Sequence, residues 1–254
     1  MSSRTIWCDE FRRFYGRDLP DDYLVFDLET TGLESDALPT EIGHVIVRGR
    51  QIVHQGAFYL NWPQDPRVDQ GWLRNRLEQV QRDFWRRGQP FYIDYELLLT
   101  QGQPVARVLD FYHELFTHNR EAGALFLGHN AWRFDAPRLG LTFERFRELR
   151  WYFWSGELLD TGLLTKALML SLLPRSGEQL EKYYRRVLNR RAGPSWSLKA
   201  CCQYYGLVDK YGLDEAQLHG AGYDCYVTHL VFEALRDRLD GKCLPEALAQ
   251  ASCG

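Results

Sequence analysis

The stretch YLVFDLETTG, residues 23–32, begins as an apolar run, then carries two acids and ends in a turn signal at Thr31 and Gly32. An apolar run of this length predicts a buried β-strand. Because strand side chains alternate between faces, Asp27 and Glu29 should point the same way. Neighbouring carboxylates at the edge of a core repel each other and lose hydration, which a divalent cation with oxygen ligands would relieve. A strand end whose acids are simply hydrated explains the pattern equally well.

A second motif, GHNAWRFD at residues 128–135, directly follows a short apolar stretch at 125–127 that predicts another strand. Asp135 falls where the next helix should begin. An N-cap aspartate stabilises a helix by on the order of 1 kcal/mol. Taken alone, Asp135 is therefore best interpreted as a cap.

The third motif is HGAGYD at residues 219–224. Five residues of one helix turn about 500°, or some 140° around the axis, so His219 and Asp224 cannot share a helical face. If both serve one site, His219 lies on a loop before the helix and leans over Asp224, which glycines 220 and 222 permit. By itself, the motif is better explained by a surface histidine beside an aspartate that favours a helix N-terminus.

Together the three motifs, D-x-E, G-H-N-x-x-x-F-D and H-x-A-x-x-D, resemble the DEDDh (DnaQ-like) branch of the DEDD superfamily of 3′–5′ exonucleases. The resemblance covers most of residues 22–240, with supporting matches at 159–161 and 197–207. It implies an α/β, ribonuclease H-like fold with a central five-stranded mixed sheet flanked by helices. It also implies a His219 general base and four metal-site carboxylates: Asp27, Glu29, Asp135 and Asp224.

The same resemblance implies hydrolysis of phosphodiester bonds at a nucleic-acid 3′ end by two divalent cations, Mg²⁺ or Mn²⁺, with release of nucleoside 5′-monophosphates. A single-stranded end is the expected partner, and a polymerase or repair complex is a further one. DNA is slightly favoured over RNA as the expected substrate. The alternatives are an exoribonuclease that trims RNA ends or degrades short oligomers, a catalytically silent nucleic-acid-binding scaffold, and a small-ester metallophosphatase. The residues expected to hold the terminal nucleotide are Thr30, Thr31, Leu33 and Asn130.

Elsewhere the pattern predicts one domain over residues 1–254, with its core at 22–240. Strands are expected at 42–47 and 51–60, joined as a hairpin, and 151–154 is expected to be a core strand. Helices are expected at 105–118, 135–150, 160–173, 178–191, 198–205 and 221–239. Ser197 is the expected N-cap of the helix at 198–205.

Residues 61–90 form a predicted helical insertion, with a helix at about 68–87. Its apolar stripe is expected to pack on the domain rather than to form a stacking platform for bases. The stripe consists of Trp72, Leu73, Leu77, Val80, Phe84 and Trp85. The helix at 178–191 is strongly basic, and phosphate contact and a solvated face are equally good explanations for its arginine pairs at 185–186 and 190–191.

Composition excludes several classes of protein. Hydrophobic residues make up 45% and charged residues 26% of the chain, with a net charge of −3, which is typical of a globular protein. No apolar stretch is long enough for a membrane span. The 6 cysteines are scattered without C-x-x-C spacing, so neither a disulfide framework nor a zinc site is expected. No signal region is evident, so the expected location is the cytoplasm.

Overall fold

A computed structural model describes residues 9, 11–89, 91–154, 156–190 and 195–239. Its centre is a mixed five-stranded sheet of order β3-β2-β1-β4-β5. The first three strands pair antiparallel, whereas β4 and β5 continue the sheet parallel to β1. The strands are β1 Tyr23–Thr30, β2 Pro39–Arg48, β3 Gln51–Tyr59, β4 Leu125–Gly128 and β5 Leu158–Asp160. The predicted α/β class and the five-stranded mixed sheet are confirmed.

The β2–β3 hairpin closes through the two residues Gly49 and Arg50, and Arg48 pairs with Gln51. Gly49 has φ 53° and Arg50 has φ 69°. Positive φ at both central residues is the geometry of a type I′ turn, whose twist matches that of the strands it joins. The predicted hairpin is therefore present.

Residues 11–15 are helical, and nine further α-helices follow within the described residues. They are α1 Gln70–Arg86, α2 Tyr95–Gln101, α3 Val105–Glu121, α4 Asp135–Arg147, α5 Thr161–Met169, α6 Leu180–Leu188, α7 Leu198–Tyr204, α8 Leu207–Tyr211 and α9 Ala221–Leu239. None of these described helices is both long and apolar enough to cross a membrane.

Strand β1 divides the core into two layers. Leu24, Phe26 and Leu28 pack in a cluster with residues of α1 to α4. Tyr23 and Val25 face the other way, into a cluster with residues of α5, α6 and α9. By alternation Asp27 and Glu29 lie on the α9 side of the sheet. The sheet thus directs both acids towards the helix that carries Asp224.

The prediction of a strand at 151–154 is wrong. This segment is irregular, and the fifth strand is Leu158–Asp160, which pairs with β4. Trp151 is buried, but Trp154 is 54% exposed. Phe153 stacks on Phe26 with ring centroids 5.0 Å apart. The segment therefore buries alternate aromatic rings without joining the sheet, which explains why it resembles a strand in sequence.

Several helix boundaries also differ from prediction. The helix expected at 160–173 begins one residue later, because Asp160 ends β5 and its side chain caps α5 by accepting from Leu163 N at 3.0 Å. The helix expected at 135–150 stops at Arg147, where Glu148 adopts φ 56°. The basic helix expected at 178–191 spans only Leu180–Leu188, and residues 191–194 lie outside the described residues. Ser197 caps α7 as expected, accepting from Ala200 N.

Candidate active site

The structure brings the five residues of the three motifs into one cleft. The cleft has a volume of about 600 Å³ at the end of β1, and all five side chains line it. Asp27 and Glu29 come from β1, whereas the other three come from the start of α4 and the entry into α9: Asp135, His219 and Asp224. Segments separated by about two hundred residues in the chain therefore contribute to a single site.

Asp135 is not a helix cap, so the interpretation favoured for this residue alone is wrong. The N-cap of α4 is Phe134, which makes no side-chain capping bond, and Asp135 is the first helical residue. Its side chain is buried in the cleft. Burial, followed by the charge of Asp160, raises the pKa of Asp135 to about 8, although Arg138 opposes the shift.

His219 lies on the loop before α9, as its angular separation from Asp224 on a helix predicted. It adopts φ 77°, and its backbone N–H points at the Asp224 carboxylate, with oxygens at 3.3 and 3.4 Å. Ligand atoms of Glu29, His219 and Asp224 all lie within 4.8 Å of one another. Burial and the charge of Arg87 lower the pKa of His219. The imidazole is therefore neutral near pH 7 and able to accept a proton.

The four carboxylates repel one another in a buried setting. Burial, reinforced by Asp135, Asp224 and Glu29, raises the pKa of Asp27 well above its usual value. Glu29 behaves in the same way, and the pKa of Asp224 is raised to about 7, chiefly by burial. Among the described residues, no lysine or arginine forms an ion pair with any of the four. Hard divalent cations with oxygen ligands fit this donor set, because they would offset the repulsion.

A fifth buried acid, Glu41 of β2, was not predicted from the sequence. It lies directly opposite Glu29 in the β1–β2 pairing. Its Oε2 accepts a 2.9 Å hydrogen bond from Ala221 N, in the first turn of α9. Burial raises the pKa of Glu41, while the N–H groups of Ala221 and Gly222 oppose the shift. Glu41 thus fixes the helix end that carries Asp224. The available signal was a glutamate beside an apolar strand run, just outside the predicted strand.

The approach of α9 to the sheet explains a glycine in the same strand. A Cβ on Gly43 would lie 2.3 Å from the backbone carbon and oxygen of Ala221. Only a residue without a side chain allows this contact. Gly43 and Glu41 therefore seat the start of α9 on β2 together.

The residues expected to hold a nucleotide divide into two kinds. Thr31 is fully buried, and its hydroxyl accepts from Leu38 N at 3.0 Å, so it holds the loop after β1. Thr30 likewise donates to Gly32 O at 2.7 Å. In contrast, Leu33 is 72% exposed at the cleft. Asn130 lines the cleft with φ 64°, and its Oδ1 is buried without a partner among the described residues.

Asp160 organises the loop that carries Asn130. Its carboxylate accepts hydrogen bonds from Asn130 N and Trp132 N, both at 3.1 Å, in addition to capping α5. Burial raises the pKa of Asp160 to about 6, and these backbone donors oppose that shift. The supporting match at 159–161 therefore lies at the cleft, which Asp160 lines.

Helix α1 borders the site through its contact with His219. Leu73 and Leu77 are buried in the core, as the packing interpretation expects, but Trp85 is 81% exposed and does not belong to the buried stripe. Phe84 contacts His219 edge to face, with ring centroids 4.7 Å apart. A second cavity of about 260 Å³ lies between α1 and residues 28–34. The predicted insertion therefore both packs on the domain and shapes the site.

No family model matches the chain, and no match was found among curated protein sequences. Solved structures of Escherichia coli exonuclease I do match. A zinc-bound complex with single-stranded DNA has a TM-score of 0.57 at 19% identity and covers 88% of this chain and 43% of that one. A complex with a dA16 oligonucleotide has a TM-score of 0.56 at 19% identity, covering 88% and 42%.

A third structure, of exonuclease I with an SSB-Ct partner, has a TM-score of 0.53 at 18% identity, and covers 88% and 42%. The chain thus spans less than half the length of the exonuclease I chains that it matches. At this identity the likeness establishes the fold. It agrees with the resemblance that the three motifs predicted. The chain therefore has the same fold as exonuclease I, in agreement with the ribonuclease H-like fold that the three motifs predicted.

Proposed function

We propose that the chain is a metal-dependent 3′–5′ exonuclease that acts on single-stranded DNA. The observation that carries the proposal is the convergence of four buried, unpaired carboxylates and one neutral histidine in a single cleft. The exonuclease I structures with the same fold hold single-stranded DNA, which supports this substrate class. A scaffold without catalysis would have no reason to retain this costly cluster of charge.

The carboxylates are suited to hold two divalent cations, Mg²⁺ or Mn²⁺. Asp27 would contact both ions, Glu29 and Asp224 would hold one, and Asp135 would hold the other. When bound, such a pair stabilises negative charge on the attacking and leaving oxygens of the phosphodiester. Glu41 contributes by keeping Asp224 and the His219 loop in place.

His219 would act as the general base. Its neutral imidazole accepts the proton of the attacking water, and the contacts with Asp224 and Phe84 hold it at the mouth of the cleft. The leaving group is the 3′-oxygen of the penultimate nucleotide, so the product is a nucleoside 5′-monophosphate. Leu33 and Asn130 line the cleft and are suited to contact the terminal nucleotide, while Thr30 and Thr31 shape the loop after β1.

The decisive experiment compares 3′-labelled and 5′-labelled single-stranded DNA, duplex DNA and RNA with Mn²⁺, with the Asp224→Asn variant as the control. We expect immediate release of the 3′ label as a mononucleotide and a ladder of shortening 5′-labelled products. Faster digestion of RNA would favour the exoribonuclease alternative. Internal cleavage, or equal activity of the control, would refute the proposal. The cytoplasmic location and a polymerase or repair complex remain predictions.

A further inference from the structure

A groove of about 520 Å³ lies outside the cleft, between α4 and residues 150–154 and 156. Two of its aromatic residues, Tyr152 and Trp154, are each 54% exposed, and their rings meet edge to face at 4.5 Å. Large aromatic side chains that are half exposed in a groove are suited to stack on a flat ligand. These are the residues that the sequence had placed in the core.

Two elements of the chain contribute to both the groove and the active-site cleft. Trp132 lines the groove, whereas the next two residues, Arg133 and Phe134, line the cleft. Helix α6 bridges the same two regions, since Leu180 borders the groove and Leu188 borders the cleft. At 1.5 Å per residue, these two positions are about 12 Å apart along the helix.

Exposed basic side chains lie on and near the elements that contribute to both regions. Lys182 and Arg185 lie three residues apart on α6, so they share a face, and both are exposed. Arg133 and Arg190 are exposed as well. None of these four side chains forms a hydrogen bond or ion pair within the described part of the chain. In contrast, the neighbouring Arg186 is fixed by Glu178 at 2.7 Å and is not available to a ligand.

We propose that this aromatic groove and the exposed face of α6 bind the substrate strand upstream of its 3′ end, which rests on the proposed exonuclease function. The groove also contains Glu144 and Glu181, which would repel phosphates. Bases therefore enter the groove and stack on Tyr152 and Trp154, while the phosphates follow Lys182 and Arg185. Aromatic stacking combined with a basic track is the mode by which proteins bind single strands without sequence preference.

The test compares a dinucleotide with a single-stranded oligonucleotide of about 16 nucleotides. The variants are Tyr152→Ala with Trp154→Ala, and separately Arg185→Glu. Matched controls are Tyr211→Ala, an exposed aromatic on α8, and Arg107→Glu, an exposed arginine on α3; both lie outside the two regions. We expect KM for the long substrate to rise about tenfold or more in the groove variant. The groove variant should hydrolyse the dinucleotide at the wild-type rate. Both control variants should hydrolyse both substrates as the wild type does.

Arg185→Glu should also flatten the salt dependence of oligonucleotide binding. Because Arg185 is exposed, this variant keeps the test valid if the aromatic double variant fails to fold. If the wild-type protein hydrolyses neither substrate, the proposed function itself fails. If the wild-type protein hydrolyses both substrates, and each variant affects the long and the short substrate equally, the proposal that the groove and α6 bind the upstream strand is overturned. A changed sedimentation coefficient with unchanged DNA binding would instead assign the groove to a second copy of the chain, which also overturns the proposal.

Discussion

The active-site cleft and the outer face of α1 both carry dense charge, but they handle it in opposite ways. On α1, arginines meet nearby acids: Arg82 pairs with Glu78 at 3.4 Å and Arg86 with Asp83 at 3.1 Å. In the cleft, Asp27 and Asp135 are buried beside other carboxylates and meet no such partner.

The difference distinguishes charge that serves solubility from charge that serves chemistry. Exposed ion pairs contribute about 0–1 kcal/mol each and are readily replaced. Buried like charges destabilise the folded protein, so they persist only where a ligand relieves them. The following predictions test whether the two regions differ as strongly in function as in electrostatics.

The largest effect is expected from Asp27→Asn or Asp224→Asn. Either change should abolish hydrolysis and leave the fold intact, because each removes a charge that holds the cations but keeps the size of the side chain. Release of a 3′ label measures activity, and circular dichroism checks the fold. Asp83→Asn on α1 is the matched control and should be fully active. Near-normal turnover in either cleft variant would refute the assignment.

His219→Ala should lower the rate by about 10²–10⁴-fold, as for the loss of a general base. Because the pKa of His219 is lowered, the wild-type rate should fall only as pH drops below about 6.5. This acidic limb should disappear in the variant. A variant rate equal to that of the wild type between about pH 6 and 9 would remove the histidine from the mechanism.

Asp135→Asn should stabilise the protein in the absence of metal. The folded pKa of Asp135, about 8, lies above its unfolded value, so the folded state holds the extra proton between roughly pH 4 and 8. The wild type therefore loses stability as pH rises through this window, by at most about 1.4 kcal/mol per pH unit. Thermal unfolding in EDTA should show the gain in Tm of the variant growing from pH 5 to 8.

Adding Mn²⁺ provides the control for this prediction. The cations should raise the Tm of the wild type more than that of Asp135→Asn, because they bind only the intact carboxylate set. A difference in Tm that does not change with pH would contradict the raised pKa.

Glu41→Gln should reduce activity by about 10–100-fold, the usual effect of altering a residue that supports metal ligands. The amide keeps the shape but weakens the acceptor for Ala221 N. A weaker apparent affinity for Mn²⁺ should accompany the loss, which a purely structural defect would not produce. Glu78→Gln on α1 is the control. Unchanged Mn²⁺ dependence would show that Glu41 does not position the site.

Local spacing predicted that Asp27 and Glu29 share a face of β1 and that His219 lies on a loop before α9. The convergence of all five motif residues in one site was predicted only by the resemblance, because the residues taken singly favoured other interpretations, such as a helix cap at Asp135. The strand prediction failed for the aromatic segment 151–154. Its rings are buried in alternation, as in a strand, but its backbone does not pair with the sheet. Glu41 and Phe84 were missed for another reason. Their contacts, with Ala221 and His219, join positions far apart in the chain, and no local pattern records such a contact.

The smallest effects are expected from two arginine substitutions, one on α1 and one directly after it. Arg82→Gln should change the free energy of unfolding by less than about 1 kcal/mol, because its partner Glu78 is also exposed. Arg87 lies at the end of the same helix and lowers the pKa of His219. Arg87→Gln should therefore raise that pKa and shift the acidic limb of the pH–rate profile to higher pH, whereas Arg82→Gln should leave it in place.

The shift should shrink as salt is added, because Arg87 is exposed and its field is screened over a Debye length of about 10 Å at 0.1 M. Equal profiles for both variants at low salt would mean that α1 contributes only packing at Phe84. A shift confined to Arg87→Gln would mean that the predicted insertion also adjusts the proton affinity of the general base. The boundary between the two regions would then lie within α1, between the arginines paired on its outer face and the one nearest His219.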